Sequence, residues 1–435
     1  EQSVSSMGTA YAGAGSISED ASTVFFNPAS MARLEGRQLS AGVHVVLPNS
    51  EFSGDATYNA SHPAFNPPSP LAGFSGVSVG GGNGGDGGEN GVVPHFTYVQ
   101  DLNDRWKFGV TVNVPFGLST EYDPNWVGRY SAIEAEIRAI NLNPTFSFEV
   151  DDHVSVGFGF SAMHTSLKLD YAVDFALLEL LGAHPIPGGP FYGGGAPGSA
   201  DGRASLDVDD WGFGLNFGIL LEPTDQTRFG FAYRSKVEVD LGGDVVLSEA
   251  TAGSLTFGSS VEASLPSTLL LSAYHEVNPK TAVMADIIWT QWSGIDALEA
   301  SLSNPVSSSN GTSTIIPLQF EDTIRVAVGA SYKYNNAVTL RAGLAFDETP
   351  IKDPQHRPAA LPDEDRIWLD FGLGYRLSND LSFDIGYAHL FIDDPSINST
   401  DSHSSASPVP TGFHILNGKY DADTNIISAQ ANWKF

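Results

Sequence analysis

Alternation of apolar and polar residues, repeated along nearly the whole chain, is the feature that most restricts what this sequence can fold into. In the last segment Ile427, Ala429, Ala431, Trp433 and Phe435 share one face, while Ser428, Gln430, Asn432 and Lys434 share the other. That is the two-residue period of a strand with unlike faces. The same pattern sets Leu381, Phe383, Ile385 and Tyr387 against Ser382, Asp384, Gly386 and Ala388, and Val326, Val328, Ala330 and Tyr332 against Ala327, Gly329, Ser331 and Lys333. No apolar run approaches the ~18 to 20 residues of a membrane helix, so a helical membrane protein is excluded.

Strands of this kind are expected near residues 36–50, 91–101, 105–122, 136–150, 153–171, 206–222, 226–242, 260–277, 280–297, 318–333, 337–347, 365–377, 381–393 and 424–435. Short turns such as Asp151-Asp152, Asn278-Pro279 and Asn335-Asn336 alternate with long Gly/Pro/Ser-rich connections at 51–90, 123–135, 172–205, 243–259, 298–317, 348–364 and 394–423. An even strand count, one tidy end, one elaborate end and aromatic strand ends form the pattern of a bacterial outer-membrane barrel. A secreted sandwich would share the alternation. Here, however, the polar face is rich in Gly, Ala and Ser and poor in charge, as suits a crowded lumen, and closure removes free edges. The expected fold is therefore all-β, a 14-stranded antiparallel transmembrane β-barrel.

The charge balance, 51 Asp+Glu against 21 Lys+Arg for a net −30, argues against nucleic acid as a partner. With no cysteine, disulfides, thiolate metal sites and cysteine nucleophiles are excluded. The 11 His lack tight metal-ligand spacing, and neither Gly-x-Ser-x-Gly nor a phosphate-cradling Gly-x-x-x-x-Gly-Lys occurs. No metal, cofactor or catalytic group is expected. An outer-membrane lipid hydrolase would need a Ser or His pair converging from distant residues. Gly81-Gly82-Asn83-Gly84-Gly85-Asp86 partly matches a calcium nonapeptide and reads better as a flexible outer loop. The chain opens Glu1-Gln2-Ser3 without Met or a leader, as a processed, exported protein would.

Two stretches depart from simple alternation. Strand three runs Phe108-Gly109-Val110-Thr111-Val112-Asn113-Val114-Pro115-Phe116-Gly117. Proline cannot donate to a ladder and glycine weakens it, so Pro115 and Gly117 predict a bulge or kink, unless the strand ends at Val114. In the connection 172–205, Phe175, Leu177, Leu178 and Leu181, then Ile186 and Phe191, form an apolar set with one helical face. Such a set is either an exposed binding patch or a short helix packed on its neighbours. Arg228, Arg234, Arg325, Arg341 and Arg366 share the polar phase of their strands with Asp347, Asp370 and Asp384. Charges in a narrow lumen must pair.

The first 35 residues are not strand-like. They run through Gly8-Thr9-Ala10-Tyr11-Ala12-Gly13-Ala14-Gly15 to Phe26-Asn27-Pro28-Ala29-Ser30. This block resembles the N-terminal hatch of the FadL family of outer-membrane transporters for hydrophobic compounds, including the motif Asn27, Pro28, Ala29. Trp211-Gly212-Phe213-Gly214, Tyr233-Arg234-Ser235-Lys236, Leu265-Pro266, Arg341 to Asp347 and Pro362 to Arg366 resemble family motifs in family order. The resemblance implies a hatch over 1–35 and a barrel over 36–435. It further implies a lateral gate at Pro115, Phe116 and Gly117, and ligand capture by Phe175, Leu177, Leu178, Leu181, Ile186 and Phe191. Arg325, Arg341, Arg366, Asp347 and Asp384 are expected as a lumen charge network, with Arg325 and Arg366 gripping the hatch around Asn27. The function implied is passive uptake of hydrophobic molecules by a monomer, with no energy source. The cargo is a long-chain fatty acid or, alternatively, an aromatic hydrocarbon. Glu321 stands where a carboxylate-binding lysine would be expected, leaving Lys168, Arg325, Arg341 and Arg366 as candidate cations. Terminal Phe435 resembles the signal read by the barrel-assembly machinery, and outer-membrane lipid is the surrounding partner.

Overall fold

The computed structural model describes residues 2–181, 195–249, 253–295, 297–302, 313–401 and 412–435. Its strands form one antiparallel sheet whose last member pairs with the first, closing a barrel. In chain order they are β1 Arg37–Tyr58, β2 Gly91–Asp101, β3 Trp106–Glu121, β4 Glu134–Asp151, β5 Val154–Asp174 and β6 Asp201–Thr224. Four strands in two segments each follow: β7 Thr227–Arg234 with Val237–Glu249, β8 Gly253–Leu265 with Thr268–Asn278, β9 Thr281–Thr290 with Ala297–Leu302, and β10 Ser313–Pro317 with Thr323–Lys333. The circuit ends with β11 Val338–Asp347, β12 Arg366–Arg376, β13 Leu381–Ile392 with Ser396–Thr400, and β14 His414–Lys434.

Alternation decides which side chains meet lipid. On β10, Ile324, Val326 and Val328 are exposed outward while Thr323 and Ala327 are buried inward. Phe213, Leu215, Ile385 and Ile427 continue the apolar exterior on other strands. A crossing needs ~9 to 11 residues. β1 has 22 and β14 has 21, so paired ribbons extend well past one span.

Those extensions are where the boundaries differ from the sequence reading. β1 was expected to stop near 50 and β14 to start near 424, yet they stay paired to Tyr58↔His414. Gly54 and Gly418 face each other there, and the ring of Phe52 lies within 2.7 Å of where either Cβ would stand. The two-residue period itself runs on past the expected boundaries, with buried Phe52, Ala56, Leu416 and Tyr420 alternating with polar Glu51, Ser53, Asp55, Asn417, Lys419 and Asp421. The Gly-rich stretch expected to be a flexible loop is also ordered. Val127 N donates to Gly82 O at 2.9 Å, Asp123 N to Gly84 O at 2.9 Å and Gly87 N to Ser50 O at 2.9 Å. Gly84 and Gly87 lie against the Tyr122 and Trp126 rings.

Residues before β1 form a short helix α1, Val4–Met7, and 3-10 turns at Ala21–Phe25 and Pro28–Arg33. They are almost wholly buried, and they touch inner faces all around the barrel, from Ser40 on β1 and Val99 on β2 to Gln430 on β14.

Val328→Arg places a charge on the lipid face and is expected to destabilise the barrel by about 2–4 kcal/mol, the cost near the bilayer midplane. Urea unfolding from lipid bilayers checks this; an unchanged midpoint would contradict the outward assignment.

Candidate functional site

The lumen is built to receive backbone. A Cβ on Gly343 would stand 2.1 Å from the carbonyl carbon of Thr9, and one on Gly230 would stand 2.0 Å from Gly15 O. Any side chain there would displace the N-terminal segment. Gly218 and Gly157 do the same at the Asn-Pro-Ala motif, where a Cβ would lie 2.0 Å from Asn27 Oδ1 and 2.5 Å from the carbonyl carbon of Pro28. Asn27 caps the turn that follows, accepting from Ala29 N at 3.0 Å. Its Nδ2 donates to Gly15 O at 2.7 Å and to the wall carbonyl of Ile219 at 3.0 Å. Asp286 accepts from Gly13 N and Ala14 N at 2.7 and 3.1 Å.

Arginines from three walls hold the same segment. Arg325 donates to Ala10 O at 3.0 Å, Arg234 to Phe25 O at 2.8 Å, and Arg341 to Glu19 Oε2 at 2.6 Å and Asp384 Oδ1 at 2.8 Å. The expectation that Arg325 and Arg366 grip the region of Asn27 is therefore corrected. Arg325 acts at Ala10, while Arg366 pairs with Asp347 at 3.0 Å and Asp363 at 2.5 Å. Asn27 is seated by backbone carbonyls, which cross-strand charge pattern cannot reveal. Asp347 also lies 3.8 Å from Arg325. Lys168 pairs with Glu134 at 2.5 Å, on the strand phase opposite that of inward Thr165 and Met163. Glu321 is exposed, and its N donates to Pro350 O at 2.9 Å.

The wall is interrupted at β3. β2 and β3 pair from Asp101↔Lys107 to Phe96↔Val112 and no further. Above, Gly88 bridges Thr120. Between those points β3 has no partner on its β2 side among the described residues, over roughly 20 Å of strand at ~3.3 Å per residue. Two prolines bound the break, Pro115 on β3 and Pro94 on β2, and neither supplies an N–H. Pro94 went unnoticed in the sequence because its segment otherwise reads as ordinary strand.

On the other side β3 stays paired to β4, but with a bulge: Asn113↔Asn141 is followed by Phe116↔Ala139. One extra residue reverses the phase. Phe116, outward by simple alternation from Val112, instead faces the interior, 6.1 Å from Trp292, which meets Phe320 at 6.2 Å. Ala139, Met163, Val237, Val261 and Leu265 extend this apolar interior. From the N-terminal segment, Gln2 Nε2 donates to Val114 O at 3.4 Å, beside the break.

At the outer end, helix α2 (Phe175–Leu180) is capped by Asp174, which accepts from Leu177 N at 2.9 Å. Phe175, Leu177 and Leu178 are buried against Tyr58, Phe65, Leu71 and Phe413, and only Leu181 at the helix end is exposed. The apolar set is thus covered by neighbouring loops and not open as a patch. Ile186 and Phe191 lie outside the described residues.

A family profile described as "Outer membrane protein transport protein (OMPP1/FadL/TodX)" matches residues 1–435. The chain belongs to this family. It is 31% identical over 408 residues to outer membrane protein P1 of Haemophilus influenzae, covering 90% of this chain and 84% of that protein. Against a long-chain fatty acid transport protein of Escherichia coli O6:H1 it is 30% identical over 408 residues, covering 90% and 85%. The crystal structure of a Pseudomonas aeruginosa FadL homologue superposes with a TM-score of 0.85 at 26% identity, over 100% of this chain and 98% of that one. The Pseudomonas putida toluene transporter TodX shares the fold at a TM-score of 0.65 and 21% identity, covering 95% and 94%. As a member of the FadL family this protein is a bacterial outer-membrane β-barrel for hydrophobic compounds.

Arg341→Met leaves Asp384, buried, and Glu19 without their shared cation. Loss of about 3–5 kcal/mol is expected, the cost of breaking a buried pair from one side. Thermal unfolding in detergent measures it, and a loss below about 1 kcal/mol would contradict the pairing.

Proposed function

We propose that this protein carries hydrophobic molecules, most favourably long-chain fatty acids, passively across the outer membrane and releases them sideways into the bilayer between β2 and β3. The observation that carries the reading is the bounded break in the wall, paired at Phe96↔Val112 below and bridged at Gly88↔Thr120 above. An aqueous exit would cost an acyl chain ~0.8 kcal/mol per CH₂, roughly 12 kcal/mol for a sixteen-carbon chain, whereas lateral release keeps it in hydrocarbon throughout. The gradient then suffices, because the ligand prefers membrane to water.

In this reading the apolar cluster under α2, with Phe175, Leu177 and Leu178, takes up the ligand once loop residues shift, and Leu181 at the exposed end meets it first. The ligand passes to the apolar interior lined by Phe116, Met163 and Trp292. Residues 2–35 act as a hatch, hinged on Asn27, Pro28 and Ala29, and withdrawal of Gln2 from Val114 uncovers the gate at Pro115, Phe116 and Gly117. Arg325, Arg341, Arg366, Asp347 and Asp384 hold the hatch and its wall in register. The fatty acid preference is supported by the roughly 30% identity to proteins named as long-chain fatty acid transporters. A monomer suffices for this cycle, and exposed Phe435 at the barrel end is accessible to assembly machinery.

Uptake of labelled oleate by a transporter-deficient host tests the cycle. Pro115→Ala combined with Gly117→Ala, which favours regular pairing, is expected to lower uptake at least tenfold. Asn27→Ala, which unseats the hatch turn, is expected to change it severalfold. Unchanged uptake in both would reject the gate and the hatch.

A further inference from the structure

At the outer end of the barrel, beyond the bilayer, His414 opens β14 opposite Tyr58. Its Nδ1 is held by Asp401 Oδ2 at 2.6 Å, and its backbone N donates to Asp401 Oδ1 at 2.9 Å. The ring is stacked on Tyr130, with centroids 4.0 Å apart and planes 14° apart, and lies 5.1 Å from the ring of Tyr58. His414 is 5% exposed, and among the described residues its buried Nε2 has no hydrogen-bond partner.

The surrounding valences are filled. Asp174 accepts from Leu177 N, from Gly198 N at 2.7 Å and from Tyr58 OH at 3.3 Å. Asp201 accepts from Arg129 Nε at 2.8 Å and Tyr130 OH at 2.6 Å. His62 receives Ala64 N on its Nδ1 and lies against Phe413. An orphaned imidazole nitrogen therefore sits at the polar edge of the apolar cluster of Phe65, Leu71, Phe175, Leu177, Leu178 and Phe413. A buried polar atom without a partner is costly, and it is relieved by a ligand group that bonds to it.

We propose that His414, backed by Asp401, is the head-group site of the outer capture cluster, and that it binds the carboxylate of an acyl ligand together with one proton. This rests on the transport reading and specifies its cargo as anionic amphiphiles. The charges facing the site are Asp401, Asp174 and Asp201 against Arg129, with His62 and the phenols of Tyr58 and Tyr130 beside them. With a neutral ring this set is net negative and opposes a bare anion. A proton taken from solvent onto Nε2 makes the ring a cation between Asp401 and the ligand carboxylate, and turns Nε2 into a donor aimed at the incoming oxygen. No covalent bond forms, and one proton enters for each anion bound. A long-chain alcohol or a hydrocarbon carries no such linkage.

The probes are dodecanesulfonate, which stays ionised across the pH range, and dodecanol, titrated calorimetrically into the full-length protein in non-ionic detergent. From pH 8 to 6.5 the affinity of dodecanesulfonate is expected to rise by up to about tenfold per unit, while that of dodecanol stays flat. His414→Gln should abolish the rise and leave dodecanol binding within about twofold. Asp401→Asn, which keeps the ring, should weaken dodecanesulfonate about tenfold and spare dodecanol. Burial pushes the Asp174 carboxyl up to about 6, so it is the competing proton acceptor. A rise that survives in His414→Gln and disappears in Asp174→Asn would overturn the assignment. Equal losses for both probes in the His414 and Asp401 variants would overturn it too, as would flat profiles for both probes in the wild type. Failure of both probes to bind at all would instead overturn the transport reading beneath it.

Discussion

Inside a bilayer every backbone N–H and C=O must find a partner within the protein, and the rest of this structure depends on that constraint. Thirteen successive pairings and the β14–β1 closure answer it around the barrel. At β3 it is relaxed in one bounded place, and the relaxation has visible compensation: prolines where donors would be stranded, a bulge that keeps the β4 side paired, and Gln2 reaching Val114 O from inside. The bulge also reorients a side chain. By consuming one residue it brings Phe116 inward to Trp292, so the interruption of pairing and the apolar lining beside it share one cause.

The interior follows from the same geometry. A lumen wide enough for fourteen strands must be filled or flooded, and here it is filled by irregular backbone resting on glycines. Irregular backbone carries its own unsatisfied groups, which explains why the wall turns Asp286, Arg234, Arg325 and the Ile219 carbonyl toward it. The small, weakly charged polar phase of the strands is thus the imprint of a second chain segment. Polar contacts at its perimeter and apolar packing of Met7, Tyr11 and Ile17 against Met284, Trp368 and Leu390 together hold it in place.

Much of this was legible in the sequence. Strands such as Val326 to Tyr332 carry their orientation in their letters, and the alternation of turn lengths gives the meander. Pro115 and Gly117 marked the break. What stayed hidden depends on partners distant in sequence. The phase reversal at Phe116 cannot be read without knowing that Asn113 pairs with Asn141. The long β1–β14 ribbon keeps its alternation through Phe52, Ala56, Leu416 and Tyr420, but its extent depends on pairing between the two ends of the barrel sequence. Whether the face of α2 is an open patch or a packed helix could not be decided from the sequence, because Phe65, Leu71 and Phe413, which cover it, arrive from two other loops. The Asp401–His414 pair is likewise a product of the fold, joined across a connection whose sequence shows no motif.

The claim that cargo leaves through the side can be tested by stapling the break shut. The next rungs beyond Phe96↔Val112 would bring Pro94 opposite Val114, and the chain has no native cysteine to interfere. Pro94→Cys with Val114→Cys, oxidised to a cross-link verified by mass spectrometry, is predicted to abolish oleate uptake, and a reductant to restore it. Undiminished uptake through a fully cross-linked barrel would contradict lateral release.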